Sequence, residues 1–309
     1  MSTLGGQVPA VAVTGGSGFI GRHLRPVLAG RPVWLLGRSE PDLAAGEGWL
    51  PVDLAEPVSL AGLPDGTVLC HLAWSHASGP ANVRHNQHLL DAVNACPGVA
   101  RVVVLSTVSV YGLRATGHLD EASPCRPDSK YARTKLACEL LWREKLRDDL
   151  PLTVLRPSTV VGPGGLGLLP LARDALHRPA VGVLKKSLRR DHSVNFVAVS
   201  NVVAAISFVL DRPPREHREC YIVAEDHRPE NAGYAAMQDV VRRIAGRRPL
   251  PGVPVPDWAV RGLAAATGRP LRVRRTFSSE ALRSAGYTDA VPLLDEVRRV
   301  VAAVEWQGR

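Results

Sequence analysis

No apolar run in this chain approaches the ~20 consecutive residues that a helix needs to cross a bilayer. Met1 to Val8 also lack the basic stretch followed by an apolar core that marks a secretory signal. A cytoplasmic location with no membrane contact is the resulting expectation. Cysteine is scarce: Cys70, Cys96, Cys125, Cys138 and Cys220 are scattered, odd in number and without metal-ligand spacing. They argue against a disulfide framework and a zinc site and predict reduced, buried thiols, with Cys125, in a proline-rich loop, the one expected to be exposed. Aromatic residues make up 5% of the chain, and none interleaves the arginine-dense patches at Arg242-Arg243, Arg247-Arg248 and Arg269 to Arg275. No helix-turn-helix or zinc pattern appears either. A net charge of +9 therefore reads as a solvated surface and an anionic small ligand rather than as nucleic acid.

What is present is a large core. The 309 residues are 45% hydrophobic, enough for one sizeable α/β domain with a smaller annex. Ala10 to Val13, Pro32 to Gly37, Leu50 to Leu54, Thr67 to Ala73, Arg101 to Ser106 and Leu152 to Arg156 read as six strands. Their near-continuous apolar character marks strands covered on both faces. Helical segments fall between them, notably Asn82 to Ala95 and Ser129 to Asp148, so the class is α/β with a doubly wound parallel sheet. The second half predicts helices at Leu168 to His177, Val199 to Leu210, Tyr234 to Ala245 and Leu293 to Val304, with strands at Val194 to Val197 and Cys220 to Ala224. Pro249 to Pro256 is an extended connector.

The first strand runs into Thr14-Gly15-Gly16-Ser17-Gly18-Phe19-Ile20-Gly21, and a helix opens at Arg22. Gly15 permits the sharp turn, Gly18 lets the backbone approach a pyrophosphate, and Gly21 lets the helix lie close to the strand. The phosphates would sit over free N–H groups at the helix N-terminus. Downstream, Tyr131 and Lys135 stand four residues apart on one helix face, where an ammonium can lie near a phenol and lower its pKa from ~10. Thr107, in the hydroxyl cluster Ser106 to Ser109 after the fifth strand, is placed where ligands bind in open parallel sheets. A hydroxyl there can bond the substrate oxygen that Tyr131 protonates. A strand-end residue satisfying a loop N–H is the competing reading.

These motifs, with His71-Leu72-Ala73, Asn82-Val83, Val110-Tyr111-Gly112, Arg156-Pro157 and Glu280 to Tyr287, occur in one order from Val11 to Trp306. Together they resemble the extended short-chain dehydrogenase/reductases, the NAD(P)-dependent nucleotide-sugar epimerase/dehydratase family. The resemblance implies a Rossmann-type cofactor domain over residues 1–158 and a smaller substrate-binding region over residues 159–309, with 190–226 partly returning to the sheet. It implies Thr107, Tyr131 and Lys135 as catalytic residues. Gly15, Gly18 and Gly21, with Phe19 and Ile20, would hold the pyrophosphate, Asp53 and Leu54 would flank adenine, and Leu72, Ala73 and Pro157 would line the nicotinamide. Lys135 would also bond the nicotinamide ribose, and Asn82 would support the active-site loop. Trp74, Thr107, Ser109 and Arg190 are the substrate-binding candidates, with core packing the competing reading for Trp74. Arg272, Arg274 and Arg275 are further candidates for phosphate contacts, against a solvated basic loop. A homodimer through the helices at 82–95 and 129–148 is also implied.

Where such folds place an acid on the adenosine ribose, this chain has Gly37-Arg38-Ser39. A guanidinium suits a 2′-phosphate, so Arg38 and Ser39, with Arg22 nearby, favour NADP(H) over NAD(H). Related dehydratases carry two acids where Val108 and Ser109 stand, and related epimerising reductases a cysteine near Val108. With both absent, the expectation is reduction of a ketone on a nucleotide-linked deoxysugar, at the 4-position. A 4-epimerase with retained NAD, a reductase of a non-nucleotide ketone and a non-catalytic dinucleotide-binding scaffold remain open. No metal site is expected.

Overall fold

Val11, Ala12 and Val13 are fully buried because the strand they form, β1 (Val11–Thr14), has a parallel neighbour on each edge. The computed structural model describes residues 8–77, 79–231, 233–268 and 270–306. Met1 to Gln7, most of the stretch read above for a signal, and Arg269 lie outside them. After β1 come α1 (Phe19–Val27), β2 (Val33–Gly37), β3 (Glu47–Pro51), β4 (Thr67–His71), α2 (Ala81–Ala95) and β5 (Val99–Leu105). A 3-10 turn at Val108–Tyr111 leads to β6 (Gly117–Leu119), α3 (Lys130–Lys145), β7 (Leu152–Pro157) and β8 (Thr159–Val161). Then follow α4 (Leu169–His177), α5 (Pro179–Leu188), β9 (Phe196–Ala198), α6 (Val199–Asp211) and β10 (Arg218–Val223). The chain closes with α7 (Tyr234–Ile244), α8 (Asp257–Thr267), β11 (Arg275–Phe277), α9 (Glu280–Ser284) and α10 (Leu293–Trp306).

The seven-stranded sheet has the order β3-β2-β1-β4-β5-β7-β10, and its neighbours from β3 to β7 pair in parallel. The order reverses between β1 and β4, the switch point at which doubly wound sheets bind ligands. This is the Rossmann-like α/β architecture that the alternation of strands and helices predicts.

Chain contacts divide the molecule into two units. The first holds the chain up to Thr107 with Ser129–Arg156 and Val203–Cys220. The second holds Val108–Asp128, Pro157–Val202 and the chain from Tyr221 onward. Its core gathers α4, α7 and α10, with Leu171, Met237, Val241, Leu293 and Val297 among the buried side chains, beside the parallel pairs β8-β9 and β6-β11.

Several elements differ from expectation. β3 ends at Pro51 rather than spanning Leu50 to Leu54, because it is the outer strand and its pairing with β2 is set by Trp34, Leu35 and Leu36 opposite Gly48, Trp49 and Leu50. Such an edge strand carries no continuous apolar run. β6, β8 and β11 have three residues each, too few to show a period, and α5 starts on Pro179 where a loop would otherwise be read. Cys125 is only half-buried, as are Cys96 and Cys220, so nothing singles it out for exposure.

Inside the first unit, one chain of hydrogen bonds ties β1, β4, α2 and α3. The Trp142 indole N–H, which can only donate, reaches Asn86 Oδ1 at 2.8 Å, and His71 Nε2 meets the same oxygen at 3.1 Å. The His71 proton is therefore on Nε2. Its Nδ1 accepts from the Thr14 hydroxyl at 2.7 Å, and Thr14 Oγ1 in turn accepts from the Leu72 and Ala73 N–H groups. Burial, with the Lys135 charge, pushes His71 down to about 3 and keeps it neutral. Asn82 clasps the loop between β4 and α2, accepting from Ser75 N–H at 3.0 Å and donating to the Ser75 and Gly79 carbonyls. Helix α3 is held to β7 by the buried Arg156–Glu139 pair, with Nε to Oε2 at 3.1 Å.

Asn86→Leu leaves the Trp142 and His71 donors without an acceptor in a buried site. It is expected to cost about 2–4 kcal/mol of unfolding free energy, measured by urea denaturation with an unchanged m-value.

Candidate active site

The glycine-rich turn is built by close approach. Gly15 has φ +73°, and a Cβ on it would stand 2.8 Å from the Ala73 nitrogen. A Cβ on Gly21 would stand 2.3 Å from the Gly15 carbonyl oxygen. Gly18 N–H bonds Gly15 O and Arg22 N–H bonds Gly18 O, both at 2.9 Å. The N–H groups of Phe19, Ile20 and Gly21 thus form the open first turn of α1, which has no side-chain cap and no acidic residue. An oriented set of donors at a positive helix end fits a dinucleotide pyrophosphate. Leu72 and Ala73, half-buried, lie against Gly15 through the contact just described. Arg38 and Ser39 are exposed immediately after β2, and Arg22 is exposed on α1. Asp53, exposed, accepts from Ala55 N–H at 3.0 Å, and the carbonyl of half-buried Leu54 accepts from His88 Nδ1 at 3.0 Å.

Thr107, Tyr131 and Lys135 all belong to the first unit. Ser129 caps α3 by accepting from Ala132 N–H at 3.1 Å, which sets the helix start and places Tyr131 in the first turn, with Lys135 one turn on. Thr107 is buried just past the end of β5 and hydrogen-bonds Tyr131, a residue that remains 39% exposed. Lys135 is buried and donates to the Leu105 carbonyl at 3.0 Å, and its ammonium lies 4.2 Å from the Trp74 ring centroid.

The electrostatics differ from the expectation drawn from the i,i+4 spacing. Burial raises the Tyr131 phenol above its ordinary value, the Thr107 hydrogen bond works in the opposite direction, and Lys135 is not among the groups that move it. The contacts of the ammonium are with the Leu105 carbonyl and the Trp74 ring. It is itself pushed down to about 8 by burial, partly offset by Cys138 and Glu139.

Ser109, Pro157 and Arg190 belong to the second unit. Ser109 lies half-buried in the 3-10 turn, Pro157 is buried at the end of β7, and Arg190 is exposed. Arg190 lines a cleft of about 480 Å³ with Asp191, Ser193, Arg274 and Arg275. Two of the arginines considered for phosphate have structural partners: Arg275 donates to Gly112 O at 2.8 Å and to Asn195 Oδ1, and Arg272 to Ser187 O, Val255 O and Asp257. Arg274 is largely exposed, 3.3 Å from Asp191. The relay residues Thr14, Asn86 and Trp142 escaped the reading of the sequence. The available signal was Asn82 and Asn86, two amides four residues apart on the buried face of an amphipathic helix.

The profile of the NAD dependent epimerase/dehydratase family matches residues 11–224. The chain belongs to that family. Within it, the chain is 34% identical over 174 residues to dTDP-6-deoxy-L-talose 4-dehydrogenase (NAD(P)(+)) of Kitasatospora kifunensis, covering 51% of this chain and 54% of that one. It is 29% identical over 180 residues to UDP-glucose 4-epimerase 2 of Oryza sativa subsp. japonica, covering 48% and 43%. The matched stretches thus span about half the length of these curated relatives. Among solved structures, MoeE5 in complex with UDP-glucuronic acid and NAD superposes with a TM-score of 0.72 at 25% identity, covering 96% of this chain and 99% of that one. RMD from Pseudomonas aeruginosa complexed with NADPH, at 23% identity and TM-score 0.67, covers 97% and 100% and shares the fold. The family consists of NAD(P)-dependent oxidoreductases and epimerases of the extended short-chain type. Among the described residues no helix is long and apolar enough to cross a membrane.

A buried ammonium whose pKa falls from 10.5 to about 8 destabilises the fold wherever it is protonated. Native Lys135 binds its proton less tightly than the unfolded chain does. Its penalty is therefore complete below pH 8 and fades as pH rises toward 10.5. Lys135→Met is expected to stabilise the cofactor-free protein at pH 7, by about 1–3 kcal/mol, with the gain shrinking at pH 10. Urea denaturation at the two pH values checks this.

Proposed function

We propose that this member of the family is an NADPH-dependent ketoreductase acting on a ketone at the 4-position of a nucleotide-linked deoxysugar. Arg38 carries the reading. It stands exposed at the carboxyl end of β2, where a ribose-binding acid would favour NAD, and its guanidinium suits a 2′-phosphate. A 2′-phosphorylated dinucleotide drawn from solution belongs with net reduction rather than with a cycle on one retained cofactor. The relative named as a dTDP-6-deoxy-L-talose 4-dehydrogenase supports the same chemistry, since oxidation at that carbon run backwards is reduction of a 4-ketone.

NADPH would supply the hydride. The open N–H groups of Phe19, Ile20 and Gly21, approached over Gly15 and Gly18, would hold its pyrophosphate. Arg38, Ser39 and Arg22 would bind the 2′-phosphate, and Asp53 and Leu54 the adenine. Leu72, Ala73 and Pro157 would line the nicotinamide. The upward shift of Tyr131 keeps the phenol protonated at neutral pH, the form required of a group that donates a proton to a ketone oxygen. Thr107 would polarise that oxygen and hold the phenol, and Lys135 would bind the nicotinamide ribose. Trp74, Ser109 and Arg190 would contact substrate. A cytoplasmic homodimer through α2 and α3 is part of the reading, with Leu140 43% exposed on α3. The likeness to a UDP-glucose 4-epimerase favours a second reading, 4-epimerisation with NAD retained.

Titration by nicotinamide fluorescence decides between them. NADPH is expected to bind at least tenfold more tightly than NADH, about 1.4 kcal/mol, and Arg38→Ala to abolish that preference. NAD that copurifies and does not exchange would instead establish the epimerase. In turnover assays with 4-keto sugar nucleotides, Tyr131→Phe is expected to lower kcat by about 10²–10⁴ while leaving NADPH affinity unchanged.

A further inference from the structure

Trp74 follows β4 and touches both side chains on which the proposed chemistry turns. Its ring meets that of Tyr131 edge to face, with centroids 5.4 Å apart and planes at 87°. The Lys135 ammonium stands 4.2 Å from its centroid, within cation–π range. His76, two residues on, lies near-parallel to the Tyr131 ring at 6.3 Å. The indole Nε1–H is buried and has no hydrogen-bond partner among the described residues. Ordinary core packing leaves such groups satisfied, and leucine or phenylalanine would fill the space without an orphan donor. Packing alone therefore does not account for a tryptophan here.

Resting on the ketoreductase reading, we infer that Trp74 is a positioning residue, an aromatic wedge that holds the Lys135 ammonium and the Tyr131 ring in one fixed relation. An ammonium has three donors on a flexible stem. The Leu105 carbonyl takes one of them, at 3.0 Å, and the indole face draws the charge from a second direction, so the head group is fixed with a donor left for a bound ligand. The same indole limits the swing of the Tyr131 ring, which also meets Thr107 and His76. The remaining groups that act on the ammonium are Cys138 and Glu139 on α3 and His71 on β4. Glu139 is paired with Arg156, burial raises the Cys138 thiol to about 11, and His71 is neutral. Burial brings the Lys135 ammonium down to about 8, and the group so shifted lies over the indole face.

The test is optical and needs neither cofactor nor substrate. Tryptophan emission is recorded from pH 7 to 9.5 for the wild type and Trp74→Phe, and again for both in a Lys135→Met background. The wild-type minus Trp74→Phe difference isolates the Trp74 emission. It is expected to shift with one midpoint near 8 and to become flat in the Lys135→Met background. A Trp74 signal that does not titrate, or that still titrates without Lys135, overturns the inference. If no keto sugar is turned over, the ketoreductase reading fails while this titration is untouched. In the active enzyme, Trp74→Leu keeps the volume apolar and removes the ring. It is expected to lower kcat by about tenfold or more with a much smaller change in KM, and an unchanged kcat overturns the positioning role.

Discussion

At the carboxyl ends of β1 and β4 two stretches of backbone run so close that no side chain fits between Gly15 and Ala73. The approach leaves the first turn of α1 as bare N–H groups, which is what an anion needs, and it brings the segment leading to Trp74 beside that turn. Hydrogen bonds maintain the spacing. Thr14 holds the Leu72 and Ala73 N–H groups, His71 orients Thr14, and Asn86 with Trp142 orients His71. Every donor of this relay finds an acceptor, so the buried imidazole has one tautomer and no need of charge. The glycine-rich turn is in this way supported from helices α2 and α3, far along the chain.

The same unit keeps a charge where solvent does not reach. Lys135 gives up stability to stay protonated in a buried site, and its ammonium is placed by a carbonyl and an indole rather than by a carboxylate. A carboxylate partner would neutralise the charge and hold the ammonium away from a ligand. A carbonyl and a π face orient it and leave the charge available. Tyr131, raised by burial, stays a proton donor. Lys135 is costly to the fold, and both groups are suited to chemistry, the pattern expected of a functional site.

The second unit shows a different use of charge. Arg272 and Arg275 are held by backbone carbonyls and polar side chains of the same unit, whereas Arg190 and Arg274 are exposed beside a cleft. A run of arginines in the sequence does not distinguish these cases, because each guanidinium carries the same charge until its surroundings are known. The short strands β6, β8 and β11 were illegible for a related reason. Three residues show no periodicity, and each exists only because a distant partner pairs with it.

The amino-acid sequence by itself determined the sheet, the order of its helices and the position of the glycine-rich turn, since continuous apolar runs and glycine at Gly15, Gly18 and Gly21 act through local backbone physics. It also placed Thr107, Tyr131 and Lys135 near one another, because strand ends and helix turns have known geometry. Tertiary structure decided what those groups do to each other. The spacing of Tyr131 and Lys135 suggested a phenol made acidic by its neighbour, yet burial raises it and the ammonium faces Leu105 and Trp74. Desolvation and ring contacts depend on what is packed around a side chain in three dimensions, and residues 74, 105 and 135 come together only when β4, β5 and α3 have docked.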